Sequence, residues 1–163
     1  MALKAVVFLP SLNRKPAINS VMKLFSLLIL LSFLPIALFA QSQEEAIKKV
    51  VQGAYIDAMQ NLGNLDVARQ GFHPEFEMLL FRNGQMSKLH IKDWMERVEQ
   101  RKANLPANPP NITGKFIDVE ITGTVAVVKL ELYRDGTRIF TDYLSLYKFD
   151  DGWKMVSKVY YQH

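Results

Sequence analysis

The sequence contains no cysteine. That absence excludes disulfides, thiolate zinc sites, cysteine nucleophiles and a lipid-modified anchor, whose attachment needs a cysteine at the cut. Histidine is scarce, with three residues in 163. A metal site needs three or four convergent ligands, and His73 with one neighbouring carboxylate does not supply them. Acidic residues are missing from the first 41 positions, which carry Lys4, Arg14, Lys15 and Lys23. The formal charge of +4, from 20 Lys plus Arg against 16 Asp plus Glu, therefore belongs to that segment. Residues 42–163 hold sixteen charges of each sign and have no electrostatic preference for a polyanion, so no nucleic-acid partner is expected.

What is present begins with a second methionine. Met22 and Lys23 precede the run 24–40 (LFSLLILLSFLPIALFA), and a polar stretch opens at Gln41. A charged start, an apolar middle and the small residue Ala40 before a polar beginning describe a cleaved signal peptide at 22–40. Residues 1–21 read as an extension upstream of a true start at Met22. The expected product, 41–163, is one domain exported to a periplasm or the medium, touching a membrane only through an uncleaved signal segment. It is large enough to bury a core without covalent staples.

From Glu44 the apolar period is helical: Ala46, Ile47, Val50, Val51, Ala54, Ala58 and Met59 share one stripe. A short second helix follows, capped by Asn64 and closed at Gly71 before His73-Pro74. Residues 76–81 read as a strand turning at Asn83-Gly84 into a weak strand at 86–89. A third helix is expected over 91–101, followed by a proline-rich loop over 104–111. Four strands, 115–122, 125–134, 137–149 and 153–161, then follow, separated by Gly123-Thr124, Asp135-Gly136 and Asp150-Asp151-Gly152. Helices first and an antiparallel meander last predict an α+β fold, with the helices packed on one face of a curved sheet.

Taken without bulges, these turns set a register. They place Ile117, Val119, Ile121, Val128, Leu130, Leu132, Ile139, Tyr143, Tyr147, Trp153, Met155, Val159 and Tyr161 on the face that meets the helices. On the opposite face they align Asp118, Lys129 and Asp142, with Lys158 diagonal to Asp142, as a solvated ladder of charges. The apolar residues of that outer face, among them Val125, Val127, Leu144 and Leu146, are too many for open water and predict a homodimer through it. Hydroxyls on the inner face suggest a half-polar pocket lined by Tyr55, His73, Met78, Trp94, Tyr143, Ser145 and Tyr161. His73 is the one candidate acid or base, but no serine or cysteine nucleophile accompanies it in a recognisable motif.

The Phe72-His73-Pro74-Glu75-Phe76 segment, the Asp93-Trp94-Met95-Glu96-Arg97-Val98 helix and the closing strands (140–146 and 152–160) together carry a resemblance. Residues 44–161 resemble the nuclear transport factor 2-like superfamily, in particular its exported branch labelled putative lumazine-binding or SnoaL-like. The resemblance implies a cone of curved antiparallel sheet wrapped around N-terminal helices, a cystatin-like α+β barrel, with a pocket at its wide end. In the superfamily's ketosteroid isomerase, a helix tyrosine, a strand carboxylate base and a hairpin acid do the work. Tyr55 matches the first position, Met78 or Leu79 stands at the base and Ser145 at the acid, so that isomerisation is not implied here. The reading is of an exported domain that binds a small, part-apolar ligand without catalysis and without a cofactor. Competing readings are a lyase or isomerase using His73, and a dimeric interaction module.

Overall fold

The computed structural model describes residues 41–105 and 109–163; the expected signal peptide and the segment before Met22 lie outside the described residues. The first helix, α1, occupies residues 41–60 and is wound as a π-helix over Val51–Gln60. In that winding backbone N–H groups bond to carbonyls five residues earlier, as Asn61 N–H does to Ile56 C=O. α2 (Leu65–Gly71) begins where Asn64 accepts a hydrogen bond from Asp66 N–H, as its side chain predicts. β1 (Phe72–Arg82) starts earlier than the apolar run suggested, because an irregularity between Phe72 and Glu77 lets the strand absorb His73-Pro74. β2 (Gln85–His90) and α3 (Ile91–Ala103) follow, with His90 capping α3 through Lys92 N–H. The chain ends in β3 (Ile112–Thr122), β4 (Val125–Arg134), β5 (Thr137–Phe149) and β6 (Gly152–Gln162).

The sheet order is β2-β1-β6-β5-β4-β3, antiparallel except where β1 meets β6. Asn83-Gly84 and Asp135-Gly136 each place two residues at positive φ, which is what a tight hairpin turn of the favoured hand requires. The helices cover one face, burying Ile47, Val51, Ala54 and Met59 against Val128, Leu130, Leu132, Leu144 and Met155. Phe72, Phe76 and Trp94 pack as an aromatic knot, Phe72 standing edge-on to Phe76 at 4.8 Å and to Trp94 at 5.9 Å. The mixed fold expected from the order of elements is the observed one, and among the described residues no helix is long and apolar enough to cross a membrane.

The register departs from expectation at one residue. Arg134 pairs with Thr137 and Tyr133 with Arg138 as the turn dictates, but Leu132 then pairs with Phe140 and skips Ile139. That bulge turns β5 over, since neighbouring side chains on a strand point to opposite faces. Phe140, Asp142, Leu144 and Leu146 therefore face the helices, and Tyr143, Ser145 and Tyr147 face away. Between β5 and β6 the expected pairs Thr141–Tyr161, Tyr143–Val159 and Ser145–Ser157 are present, so Tyr161 and Val159 turn outward with β5. A further shift after Ser145 returns Met155 and Trp153 to the core. Asp118 does pair with Lys129, but Asp142 sits opposite Leu130 on the other face, so the expected row of three charges does not form. Ile117 is skipped by a bulge in β3 and is 41% exposed.

α2 crosses α1 at Gly71, where a Cβ would come 2.3 Å from Ala54 Cβ and 3.2 Å from a Val50 methyl. Gly71→Ala should therefore force the two helices apart and lower the unfolding free energy by about 1–3 kcal/mol, the usual cost of overpacking, read from the urea midpoint at unchanged slope.

Candidate functional site

The flip of β5 carries a carboxylate into the core. Asp142 is 0% exposed, and Lys158 of β6, diagonal to it across the ladder, is 4% exposed. Tyr55 of the π-helical segment, fully buried, reaches both. Its hydroxyl donates to Asp142 Oδ2 at 2.5 Å and accepts a hydrogen bond from Lys158 Nζ. Lys158 Nζ also lies 2.9 Å from Asp142 Oδ1. That oxygen accepts no aligned hydrogen bond, so an ionic contact alone holds it, and the short separation is what makes its burial tolerable. The ammonium is boxed by rings, 4.6 Å from the centroid of Tyr55, 5.0 Å from Tyr160 and 5.7 Å from Trp94. Met78 closes the box from β1, its Cα paired with that of Lys158.

Burial pushes the Lys158 ammonium below its ordinary pKa of 10.5, and the adjacent Asp142 carboxylate works against that shift. Burial likewise raises the Tyr55 phenol well above 10.0; the Asp142 charge and hydrogen bond add to the rise, and the Gln60 amide, five residues along the π-helix, opposes it. The three groups face one another, Tyr55 hydrogen-bonded to both partners and Asp142 Oδ1 held by the ion pair alone. With Lys158 protonated and Asp142 ionised, the cluster carries no net charge.

An open cleft of about 910 Å³ lies elsewhere, between the end of α1 (Gln60, Leu62), the second half of α3 (Arg97, Gln100, Arg101, Asn104), residues 109–111 and the β4–β5 turn (Arg134, Asp135). Its rim is fastened. Asn61 donates to Ile112 C=O at 2.8 Å and accepts from Ile112 N–H at 2.7 Å, while Lys102 Nζ reaches Gly63 C=O at 2.7 Å. Gln60 joins the two places, because it lines the cleft and also interacts with the Tyr55 hydroxyl.

Of the residues expected to line a pocket, Tyr55, Met78 and Trp94 converge around Lys158. Tyr143 and Tyr161 do not, being 42% and 64% exposed on the outer face, and Ser145 points outward beyond Tyr143 for the same reason of register. His73 stacks on Phe149 at 4.9 Å and accepts a hydrogen bond from Glu75 N–H. Phe149 is seven residues along β5 from Asp142, roughly 20 Å at strand rise, so His73 takes no part in the cluster. Leu144, Leu146, Met155 and the Tyr55–Asp142–Lys158 cluster lie buried between the helices and the sheet. Asp142 and Lys158 were missed because a bulge-free register put both outside. The available signal was the phase of β5: Phe140, Leu144 and Leu146 are purely apolar, whereas Thr141, Tyr143, Ser145 and Tyr147 all carry a hydroxyl.

Removing one partner of a buried ion pair leaves the other uncompensated, so Asp142→Asn should lower the unfolding free energy by about 3–5 kcal/mol. Adding Lys158→Met to Asp142→Asn should recover most of that loss in the same denaturant titration. Tyr55 gives a separate outcome. Its folded pKa lies above the unfolded 10.0, so its contribution to stability is complete below pH 10.0 and drains as the pH rises beyond it. In an absorbance titration of tyrosinate, Tyr55 should ionise only as the fold opens, and the Tyr55→Phe protein should lack that late component.

Known proteins share this architecture. An NTF2-like protein of unknown function from Silicibacter pomeroyi superposes with a TM-score of 0.62 at 20% identity, covering 76% of this chain and 98% of that one. An NTF2-like protein from Shewanella baltica gives 0.59 at 20% identity over 75% and 94%. At these identities the likeness is one of fold. Among curated proteins, the aldolase FrzH of Cladobotryum is 26% identical over 110 residues, 67% of this chain and 83% of its own length. The family described as "Putative lumazine-binding" matches residues 42–161. The chain belongs to that family, and its fold is the curved-sheet α+β fold of the NTF2-like structures.

Proposed function

We propose that this is an exported domain that binds a small, part-apolar ligand without transforming it, in the cleft between α1, α3 and the β4–β5 turn. The cleft itself carries this reading, since its volume falls in the range of small-molecule sites. Leu62, Pro109 and Pro110 give it an apolar wall, and the amides of Gln60, Gln100, Asn104 and Asn111 give it polar groups. Binding is favoured over catalysis because the charged groups of the Tyr55–Asp142–Lys158 cluster are paired with each other and buried, and His73 is held elsewhere by Phe149. Export follows from the signal-like run 24–40, and the lack of cysteine suits an exported domain that relies on its core.

The domain is proposed to work as a homodimer through the outer face of its sheet. Val125 and Val127 of β4, Tyr143 and Tyr147 of β5, and Val159 and Tyr161 of β6 are each more than one-third exposed. The ladder makes them contiguous, with Val125 opposite Tyr147 and Tyr143 opposite Val159. A half-apolar face of this kind suits a second copy of itself better than water.

A thermal-shift screen of neutral and charged heteroaromatic compounds, including the lumazine of the family label, tests the cleft. A binder should raise the melting temperature of the native protein and leave unmoved an Asn111→Trp variant, whose indole fills the cleft. Equal shifts in both proteins would place the ligand elsewhere. Sedimentation velocity should show a dimer that Tyr143→Lys converts to a folded monomer; a native monomer would remove the second part of the reading.

A further inference from the structure

Among the described residues the arginines fall into two groups. Outside the cleft each meets another side chain: Arg69 bridges Asp66 and Glu99 at 2.8 and 3.2 Å, Arg138 binds Glu131 at 2.5 Å, and Arg82 reaches the Tyr160 hydroxyl at 3.5 Å. The three arginines that line the cleft are different. Among the described residues the Arg101 guanidinium hydrogen-bonds only the Met59 carbonyl, at 3.5 Å, and the side chains of Arg97 and Arg134 make no ion pair or hydrogen bond. The segments outside the description, 1–40 and 106–108, contain no aspartate or glutamate, so no carboxylate from them answers these charges. Asp135 is the sole acidic residue in the lining.

This concentration of charge is local. Residues 42–163 carry sixteen charges of each sign, yet one concavity collects three guanidinium groups against one carboxylate. The groups come from two elements, α3 and the end of β4, that meet only through the fold. Helix-end compensation accounts for Arg101, which stands with Lys102 in the last turn of α3. It does not account for Arg97, a turn earlier, or for Arg134 on a strand. Guanidinium is the side chain suited to gripping planar or tetrahedral oxyanions through paired N–H donors.

We propose that the cleft is an oxyanion site, in which Arg97, Arg101 and Arg134 hold the carboxylate or phosphate oxygens of a small organic anion. The amides of Gln60 and Asn111 face the remainder of that molecule. The inference rests on the cleft being the ligand site and adds the ligand's chemical class. It also explains how an overall neutral domain can select an anion: the field is focused by a concave wall instead of being spread over the surface.

Isothermal titration of the full domain with citrate and, separately, with pyrophosphate tests it. At least one should bind saturably at low salt and compete with the other arm if both bind. Arg97→Gln with Arg134→Gln should weaken binding by about tenfold or more, since both remove charge-assisted hydrogen bonds. Lys49→Gln with Lys92→Gln, which removes the same charge from exposed positions outside the cleft, should leave affinity unchanged. Citrate alone would identify carboxylate recognition, and pyrophosphate alone phosphate recognition. Absence of saturable binding to either, or equal weakening in both double variants, overturns the proposal. If neutral compounds still stabilise the native protein but not Asn111→Trp, the cleft stands and only the anionic class falls; if nothing binds there, both fall.

Discussion

A lysine and an aspartate buried side by side, with a tyrosine hydroxyl between them, are the constraint around which this domain is arranged. Neither charge could remain in that interior alone, because desolvation would neutralise it or open the fold. Together they need three elements in register. The π-helical segment of α1 presents Tyr55, the bulge at Ile139 presents Asp142, and the pairing of β6 on β5 presents Lys158. A slip of one residue in any of these would separate the charges. The cluster is therefore better understood as a device that fixes one register of a curved sheet on its helices than as a source of net stability.

From that fixed register the two surfaces follow. With Asp142, Leu144 and Leu146 inward, the tyrosines of β5 and β6 must stand outward beside Val125 and Val127, and the sheet gains a face suited to a copy of itself. At the other end, Tyr55 and Gln60 run from the cluster to the wall of the cleft. The clamps from Asn61 to Ile112 and from Lys102 to Gly63 hold that wall in place. Core polarity, outer face and cleft are three consequences of one arrangement of strands.

Much of this was legible in the sequence, and the limit was physical. Element order, the Asn64 cap and the hairpin turns are local properties, written in periodicity and turn chemistry. The resemblance to the NTF2-like superfamily drew on the same local patterns together with the closing hairpin, and it anticipated the fold. The face of β5 is not local. Whether Ile139 is paired or skipped depends on how β4 and β5 twist over α1, and that single decision inverted Tyr143, Ser145, Tyr161 and Asp142 together. The inward placement of Tyr55, Met78 and Trp94 does not depend on that bulge, since these residues stand on α1, β1 and α3. The arginine cleft lay beyond sequence reasoning, since Arg97 and Arg134 become neighbours only in three dimensions.

The most direct test of the central claim is an NMR titration of the lysine Cε and Nζ resonances, with Lys158 assigned from its loss in Lys158→Met. Buried against Asp142 and Tyr55, Lys158 should exchange its ammonium protons slowly and titrate below the ordinary 10.5 while the fold is intact. A Lys158 that exchanges as fast as an ammonium in open water and titrates no lower than its ordinary 10.5 would show that the charge lies outside the core and that this arrangement of the sheet is wrong.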